Sequence, residues 1–266
     1  MIREFGAVAA VLSLVLLTSC SIGTHSGPRA ARSELADPRV LRVAIAVASA
    51  PSTFYSALDS TQNPVGVAVE LGAALAAELG TKVRFVPYNS SGEITEAADT
   101  AWDVTFMPKD EQRAAVVAFG PAYNLFTSTY LVPAGSPIQV ISDVDQAGVV
   151  VGVVLNTTTG RSASQQLTIA RVQTYGSVDE LRESLVKSET HAIALSETSL
   201  RNLSKSIPGS RLLAGGFHST SNAVAVPLGR PNLLAFVSTF VENAKRTGLV
   251  AKAFNSVGLS DAAVAP

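Results

Sequence analysis

The chain has 266 residues, 47% of them hydrophobic and only 15% charged, with a formal net charge of -1. That balance excludes a disordered or acidic-tail protein and gives no electrostatic reason to expect nucleic acid as a partner. Cys20 is the only cysteine, so there is no intrachain disulfide and stability must come from packing.

Met1 to Leu17 begins with Arg3 and Glu4, continues as an apolar run from Ala7, and leads into Leu17-Thr18-Ser19-Cys20. A charged start, a short apolar core and small residues at the end mark a secretory signal. The core is shorter than the roughly 20 apolar residues of a membrane span. Leu-Thr-Ser-Cys resembles the bacterial lipobox, which implies cleavage before Cys20 and a diacylglyceryl group on its sulfur. Two acyl chains anchor stably where one is marginal. An ordinary signal peptide with an incidental cysteine is the alternative. The expected division is a leader over 1–19, then lipidated Cys20 and a flexible tether to residue 38. Ser21 to Pro38 is rich in Ser, Gly, Pro, Ala and Arg and has no apolar periodicity.

Roughly 245 residues follow the leader, enough for one large or two medium domains. Val40 to Val47 is a buried-strand pattern. Val67 to Leu79 has apolar residues at helical spacing, with Gly80 as a C-cap. Lys82 to Val86 reads as a strand, Glu93 to Ala101 as a helix and Trp102 to Met107 as a short strand. Val149 to Val154 is a further strand, Val178 to Lys187 a helix and Ala192 to Leu195 a strand. Asn222 to Val226 leads to a long amphipathic segment, Asn232 to Phe254. Such alternation predicts an α/β fold with mainly parallel sheets.

Several stretches, in order and at matching spacing, carry a resemblance to the solute-binding proteins of polar amino-acid ABC importers, solute-binding family 3. Leu41-Arg42-Val43-Ala44 resembles the family's first strand. Val65-Gly66-Val67-Ala68-Val69-Glu70-Leu71 resembles its helix entry, with Glu70 at the acidic position. Arg113, Phe119 and Tyr123 keep the spacing of its arginine segment. Ser128-Thr129-Tyr130-Leu131-Val132 and Ala225-Val226-Pro227-Leu228-Gly229 resemble its two crossing strands, and Gly152-Val153 to Thr157-Thr158 its "G-V-Q-x-G-T-T". The resemblance covers about Leu41 to Val257. It implies a two-lobed type II periplasmic-binding fold, with two mixed sheets flanked by helices and joined by two crossing hinge strands. Lobe one would comprise 39–130 plus 225–266, and the inserted lobe two 131–224, with ligand in the cleft between them and closure by hinge motion.

The resemblance also implies a site. Arg113 would grip a ligand carboxylate, for which a planar guanidinium is suited; the alternative is a surface arginine in a charged run. Phe54 and Tyr55 would lay an aromatic over the ligand or pack in the core. Asn156, Thr157 and Thr158 precede a helix-compatible stretch, Arg161 to Ala170, where amides and hydroxyls form an anion site or simply an N-cap. Asn156 stands where the family has glycine. Ser196 replaces the acidic residue that pairs with a ligand ammonium. Either the next residue, Glu197, takes over or the ligand is not a standard α-amino acid. His191 reads as a surface or structural histidine. Asp103 to Arg113 is about two residues shorter than in the family, with Met107-Pro108-Lys109 in place of its Gly-x-Thr donors.

There is no phosphate loop, and Gly160-Arg161-Ser162-Ala163-Ser164 lacks the last glycine of a nucleophile elbow. His25, His191 and His218 lack metal-ligand spacing. The expectation is a monomeric, lipid-anchored binding protein on the extracytoplasmic face of the bacterial membrane. It would capture a small polar, carboxylate-bearing solute for the subunits of an ABC permease, with no cofactor and no chemistry of its own. Two alternatives stay open. One is a dehydratase-like enzyme on the same fold, with Glu197 as acid or base. The other is an accessory or sensor lipoprotein with a degenerate cleft.

Overall fold

Before the first predicted strand the chain already departs from expectation. Pro28–Arg32 forms a short helix, α1, begun by a proline whose missing N–H and fixed φ suit a first turn. Ala31 and Leu35 are buried in the core formed with the C-terminal helices. Glu34 accepts hydrogen bonds from the amides of Asn232 and Leu233, the latter at 2.7 Å. Residues 28–38 are therefore packed, not the flexible tether their composition predicts. Two apolar side chains and one carboxylate suffice once a tertiary partner is present.

The computed structural model describes residues 27–47, 56–98, 101–260 and 262–266. Cys20, Phe54 and Tyr55 lie outside the described residues. After α1 come β1 (Val40–Ala46), the small pair β2 (Ala57–Leu58) and β3 (Pro64–Val65), α2 (Val67–Leu79) and β4 (Lys82–Tyr88). Then follow α3 (Ser91–Glu96), β5 (Val104–Pro108), α4 (Glu111–Ala114) and β6 (Val117–Val132). Helix α2 begins and ends where predicted. Val67, Leu71, Leu75 and Leu79 are buried, and Gly80 closes it at φ 71, a left-handed conformation open to a residue without Cβ. Helix α3 is shorter than the predicted Glu93–Ala101. Ser90 caps its start, the Glu93 carboxylate turns back to the Asn89 amide, and Trp102 donates Nε1–H to the Ile94 carbonyl at 2.9 Å. Each local bond favours a tight turn over a longer helix.

The second half contains a 3-10 turn (Ile141–Asp143), β7 (Val150–Val154), α5 (Thr158–Gln166), β8 (Arg171–Tyr175) and α6 (Val178–Val186). It continues through β9 (Ala192–Ser196), α7 (Glu197–Ser204) and β10 (Arg211–Leu212). The chain then returns along β11 (His218–Pro227) to α8 (Pro231–Arg246) and α9 (Leu249–Ser256). The single amphipathic segment predicted from Asn232 to Phe254 is two helices, because Gly248 turns the chain at φ 79. Helix α5 starts three residues earlier than the predicted Arg161, since Thr157 caps it by accepting from the Gly160 amide.

The strand order is β4-β1-β5-β11-β6-β9-β7-β8, with β10 beside β6. Strand β1 runs parallel to β4 and β5, and β7 parallel to β8 and β9. Between these two groups β6 and β11 run antiparallel, paired from Val117–Pro227 to Ser128–His218. The mixed sheets of the two lobes thus meet through two long shared strands, whose pairing shifts register on either side of Ala223. One core gathers Leu41, Val43, Leu71, Leu75, Phe106, Val224, Phe240 and Phe254. On the other side Val151, Val153, Ala192 and Ala194 face α5, while Leu131 and Ile193 meet Leu181 and Leu185 of α6 and Leu200 and Leu203 of α7. At the base of the first lobe the buried Asp103 carboxylate accepts from the Arg42 amide at 3.0 Å and its Nη2 at 2.8 Å. It also accepts from Arg230 Nη1 at 2.7 Å, which ties β5, β1 and the start of α8 together.

Candidate functional site

The strands of both lobes end toward a shared cavity of about 740 Å³. Its first-lobe wall comes from the ends of β1, β4 and β5, with Ala46, Val47, Asn89, Ser91 and Pro108. The second-lobe wall comes from the starts of α5, α6 and α7, with Val154, Thr157, Thr158, Thr159, Ser196 and Ser199. The apolar residues shape this wall, and hydroxyl and amide groups supply most of its polarity. Asp179, Arg182 and Lys205 are its charged members. A cleft of this size, apolar with a few convergent polar groups, suits a small ligand.

Of the hydroxyls expected in the second lobe, Thr157, Thr158 and Ser196 line the cavity. Thr157 is the N-cap of α5 and also donates Oγ1–H to the Val154 carbonyl at 2.8 Å. Thr159 shares a hydrogen bond with Ser128 of the crossing strand at 2.8 Å. Ser196 caps α7, accepting from the Ser199 amide and donating to the Ser199 hydroxyl at 2.8 Å. Both Ser196 and Ser199 line the cavity.

Three expectations need correction. Arg113 is neither on the surface nor on the cavity wall: it is 1% exposed and lies behind Pro108 and Ser91. Its Nη1 donates to the Pro108 carbonyl at 2.8 Å, and its Nη2 to Ser91 Oγ at 2.8 Å and to the Asn156 carbonyl at 3.2 Å. Glu197 does not take over from the missing acidic residue. It sits outside the cavity, ion-paired with Arg201 one turn along α7. The Asn156 side chain points away from the cavity as well, donating to Glu96 of α3. Asn156 adopts φ 56, which asparagine tolerates better than most residues, so it can stand where the family has glycine.

Asn156 instead joins the lobes, since its side chain and its carbonyl both meet first-lobe groups. Gly92 of α3 packs so close that an added Cβ would lie 2.8 Å from both Asn156 Cβ and the Leu155 carbonyl. Backbone cannot move aside as a side-chain end can. Overpacking of this kind costs about 1–3 kcal/mol. Gly92→Ala is therefore expected to leave each lobe folded and to weaken solute binding by roughly tenfold, at 1.4 kcal/mol per decade. Calorimetric titration checks this, and an unchanged affinity would mean that the lobes do not approach here when solute is held.

Sequence reasoning missed Asp110. Its carboxylate caps α4 by accepting from the Arg113 amide at 2.9 Å. It also reaches across to α5, accepting from Thr158 Oγ1 at 2.6 Å and from the Arg161 guanidinium. Arg113 Nε lies 4.0 Å away. Burial pushes the Asp110 carboxyl up, but the bonds from Thr158, Arg113 and Arg161 outweigh it and hold the group below the usual range. His218 of β11 is nearby; burial lowers its imidazole below the ordinary value, and Asp110 acts the other way. The one trace of this in the sequence is the shortened segment between Asp103 and Arg113. Among the described residues no cluster of His, Cys, Asp or Glu could hold a metal, and no helix is long and apolar enough to cross a membrane.

Comparison with known proteins agrees with this geometry. The profile of the bacterial extracellular solute-binding proteins, family 3, matches residues 41–257. No curated protein matches the chain in sequence. Among solved structures, an ancestral amino acid-binding protein, a precursor of cyclohexadienyl dehydratase, is 26% identical at a TM-score of 0.72. That match covers 82% of this chain and 95% of the other. A mutant of ArgBP from T. maritima is 22% identical at a TM-score of 0.75, over 86% and 99% of the two chains. The solute receptor for L-cysteine of Neisseria gonorrhoeae is 19% identical at 0.79, over 90% and 100%. The last two share the fold.

Proposed function

We propose that this chain, which belongs to the bacterial extracellular solute-binding proteins, family 3, is the capture subunit of an ABC importer. It takes a small polar solute, an amino acid or a relative of one, into the cleft and presents the closed form to the permease. Lobe one is residues 39–130 with 225–266, extended by the packed segment 28–38, and lobe two is 131–224. The two open and close about β6 and β11. The resemblance of Leu17-Thr18-Ser19-Cys20 to a lipobox supports attachment to the extracytoplasmic face of the membrane through Cys20.

The observation that carries the reading is a cavity walled by both lobes and lined with hydroxyls at the starts of α5 and α7. Such a wall can envelop a polar solute, satisfy its hydrogen-bonding groups and exclude water. The dehydratase alternative loses its proposed acid, because Glu197 is turned away from the cavity and paired with Arg201.

A thermal-unfolding screen of the full chain against amino acids, amines, amides, polyols and sugars tests the reading. A ligand at a hundredfold excess over its Kd adds about 2.7 kcal/mol, or a melting shift of roughly 5–10 °C for a domain of this size. One chemical class should give that shift, and a panel without any shift would overturn the receptor role. For the anchor, Cys20→Ser should move the protein from the membrane fraction to the soluble one, and unchanged partition would sink the lipidation.

A further inference from the structure

Helix α5 offers a complete seat for an anion. The Thr158 hydroxyl and the Arg161 guanidinium stand three residues apart, and so lie on one face of the helix. Both reach the same point, with the Arg113 guanidinium across from them. In this structure that point is held by a carboxylate of the chain itself. Asp110 Oδ2 accepts from Thr158 Oγ1 at 2.6 Å and from Arg161 Nη2, while Oδ1 accepts the Arg113 amide at 2.9 Å. Arg113, meanwhile, directs Nη1 and Nη2 at the Pro108 carbonyl, Ser91 Oγ and the Asn156 carbonyl. The two cations nearest the start of α5 are thus engaged by protein groups. Thr158, Pro108 and Ser91 also line the cavity, so the seat adjoins the space a solute would fill.

We infer that Asp110 is a built-in carboxylate that fills the anion seat of the cleft and selects against solutes carrying a free carboxylate, in favour of those with a neutral amide or hydroxyl in its place. The inference rests on the receptor reading for the existence of a solute, and adds the class of that solute. A carboxylate ligand would have to displace Asp110 from three donors and would leave two like charges side by side, with no gain in hydrogen bonds. A solute without a carboxylate meets no such conflict. It finds neutral hydroxyls on Ser91, Thr157, Thr159, Ser196 and Ser199. The replacement of an acidic residue by Ser196 fits the same picture: at the start of α7 a neutral hydroxyl stands where an α-ammonium would need a carboxylate. The charged members of the wall, Asp179, Arg182 and Lys205, lie instead on α6 and at the end of α7, away from the Asp110 seat.

The test compares the full chain with Asp110→Ser, which keeps an N-cap for α4 and vacates the seat, and Asp110→Asn, which keeps the seat filled. Probes are acetate and glycine against acetamide and glycinamide, titrated calorimetrically at constant ionic strength. Asp110→Ser is expected to bind acetate and glycine at least tenfold more tightly than the wild type and to lose the gain when Arg161→Gln is added. Asp110→Asn is expected to show no gain. A folded Asp110→Ser without gain would overturn the inference. So would a wild type whose affinity for an amino acid falls tenfold in Arg161→Gln, a result that does not depend on Asp110 variants folding. If the wild type binds no solute while Asp110→Ser acquires acetate binding, the receptor role fails and the role of Asp110 stands.

Discussion

Asp103→Ala is expected to lower the unfolding free energy by about 3–5 kcal/mol, the usual loss when one partner of a buried ion pair is removed. The carboxylate is fully buried and holds two guanidiniums, Arg42 and Arg230, which are themselves only 12% and 16% exposed. Without Asp103 both cations stay mostly desolvated and lose this carboxylate, and the Arg42 amide loses its acceptor. At 2–4 °C per kcal/mol the melting point should fall by roughly 6–20 °C. The effect has a definite pH dependence. Burial pushes the Asp103 carboxyl up, but the hydrogen bonds from Arg42 and Arg230 outweigh it and hold the group below its ordinary 3.8. A carboxylate with a depressed folded pKa stabilises fully above its unfolded value and loses that contribution as pH falls through the folded one. The gap between wild type and Asp103→Ala should therefore be complete at pH 6 and shrink below about pH 4. Urea unfolding at several pH values checks this, and a gap that is under 1 kcal/mol or independent of pH would show that the arginines find other partners.

Deleting residues through Pro38 is expected to cost about 3–6 kcal/mol, although the segment's composition marks it as dispensable. Removing Leu35 empties a core position, a loss of about 2–5 kcal/mol for truncations of this size. Removing Glu34 uncaps α8. That helix begins at Pro231 after an N-cap, Arg230, whose side chain makes no capping bond. Glu34 supplies the cap from elsewhere in the chain, accepting from Asn232 Nδ2 and the amides of Asn232 and Leu233. A lost cap is worth about 1 kcal/mol. Guanidinium unfolding of a chain starting at Ser21 and one starting at Arg39 measures the total, and Glu34→Gln isolates the cap. Equal midpoints for the two chains would mean that α1 contributes nothing.

Features fixed by neighbours in the chain were legible in the sequence; those fixed across the fold were not. Helix α2 could be read to the residue because its apolar spacing and the Gly80 cap are both local. The packed segment at 28–38 could not, because Leu35 and Glu34 acquire meaning only against α8. Strand β6 could be seen only over Ser128–Val132, since Gly120-Pro121 has the look of a turn. In the fold that dipeptide makes a bulge instead, where the pairing with β11 shifts. The same division runs through the site. Thr157 and Thr158 could be located because a helix start has a local signature, whereas Ser196 came from the family resemblance alone. The direction of Arg113 depends on Ser91 and Asn156, which lie 22 and 43 residues away in the chain. Asp110 acquires its role from Thr158 and Arg161, 48 and 51 residues on. No spacing within one element encodes that meeting.

The pairing of β6 with β11 has a mechanical consequence. The two crossings are not separate wires, because they are hydrogen-bonded to each other and form one ribbon between the lobes. Sliding one lobe along the ribbon would slip the register, and a slip of one residue reverses which side chains face each core. Translation is therefore blocked, leaving bending and twisting as the compliant directions. The register shifts beside Ala223, where Gly120-Pro121 faces Val224, lie within the first lobe, because Val224 also pairs with Phe106 of β5. Between Asn124–Asn222, where β5 ends, and Ser128, where pairing with β9 begins, the ribbon is two strands wide, and bending between the lobes is concentrated in that short span.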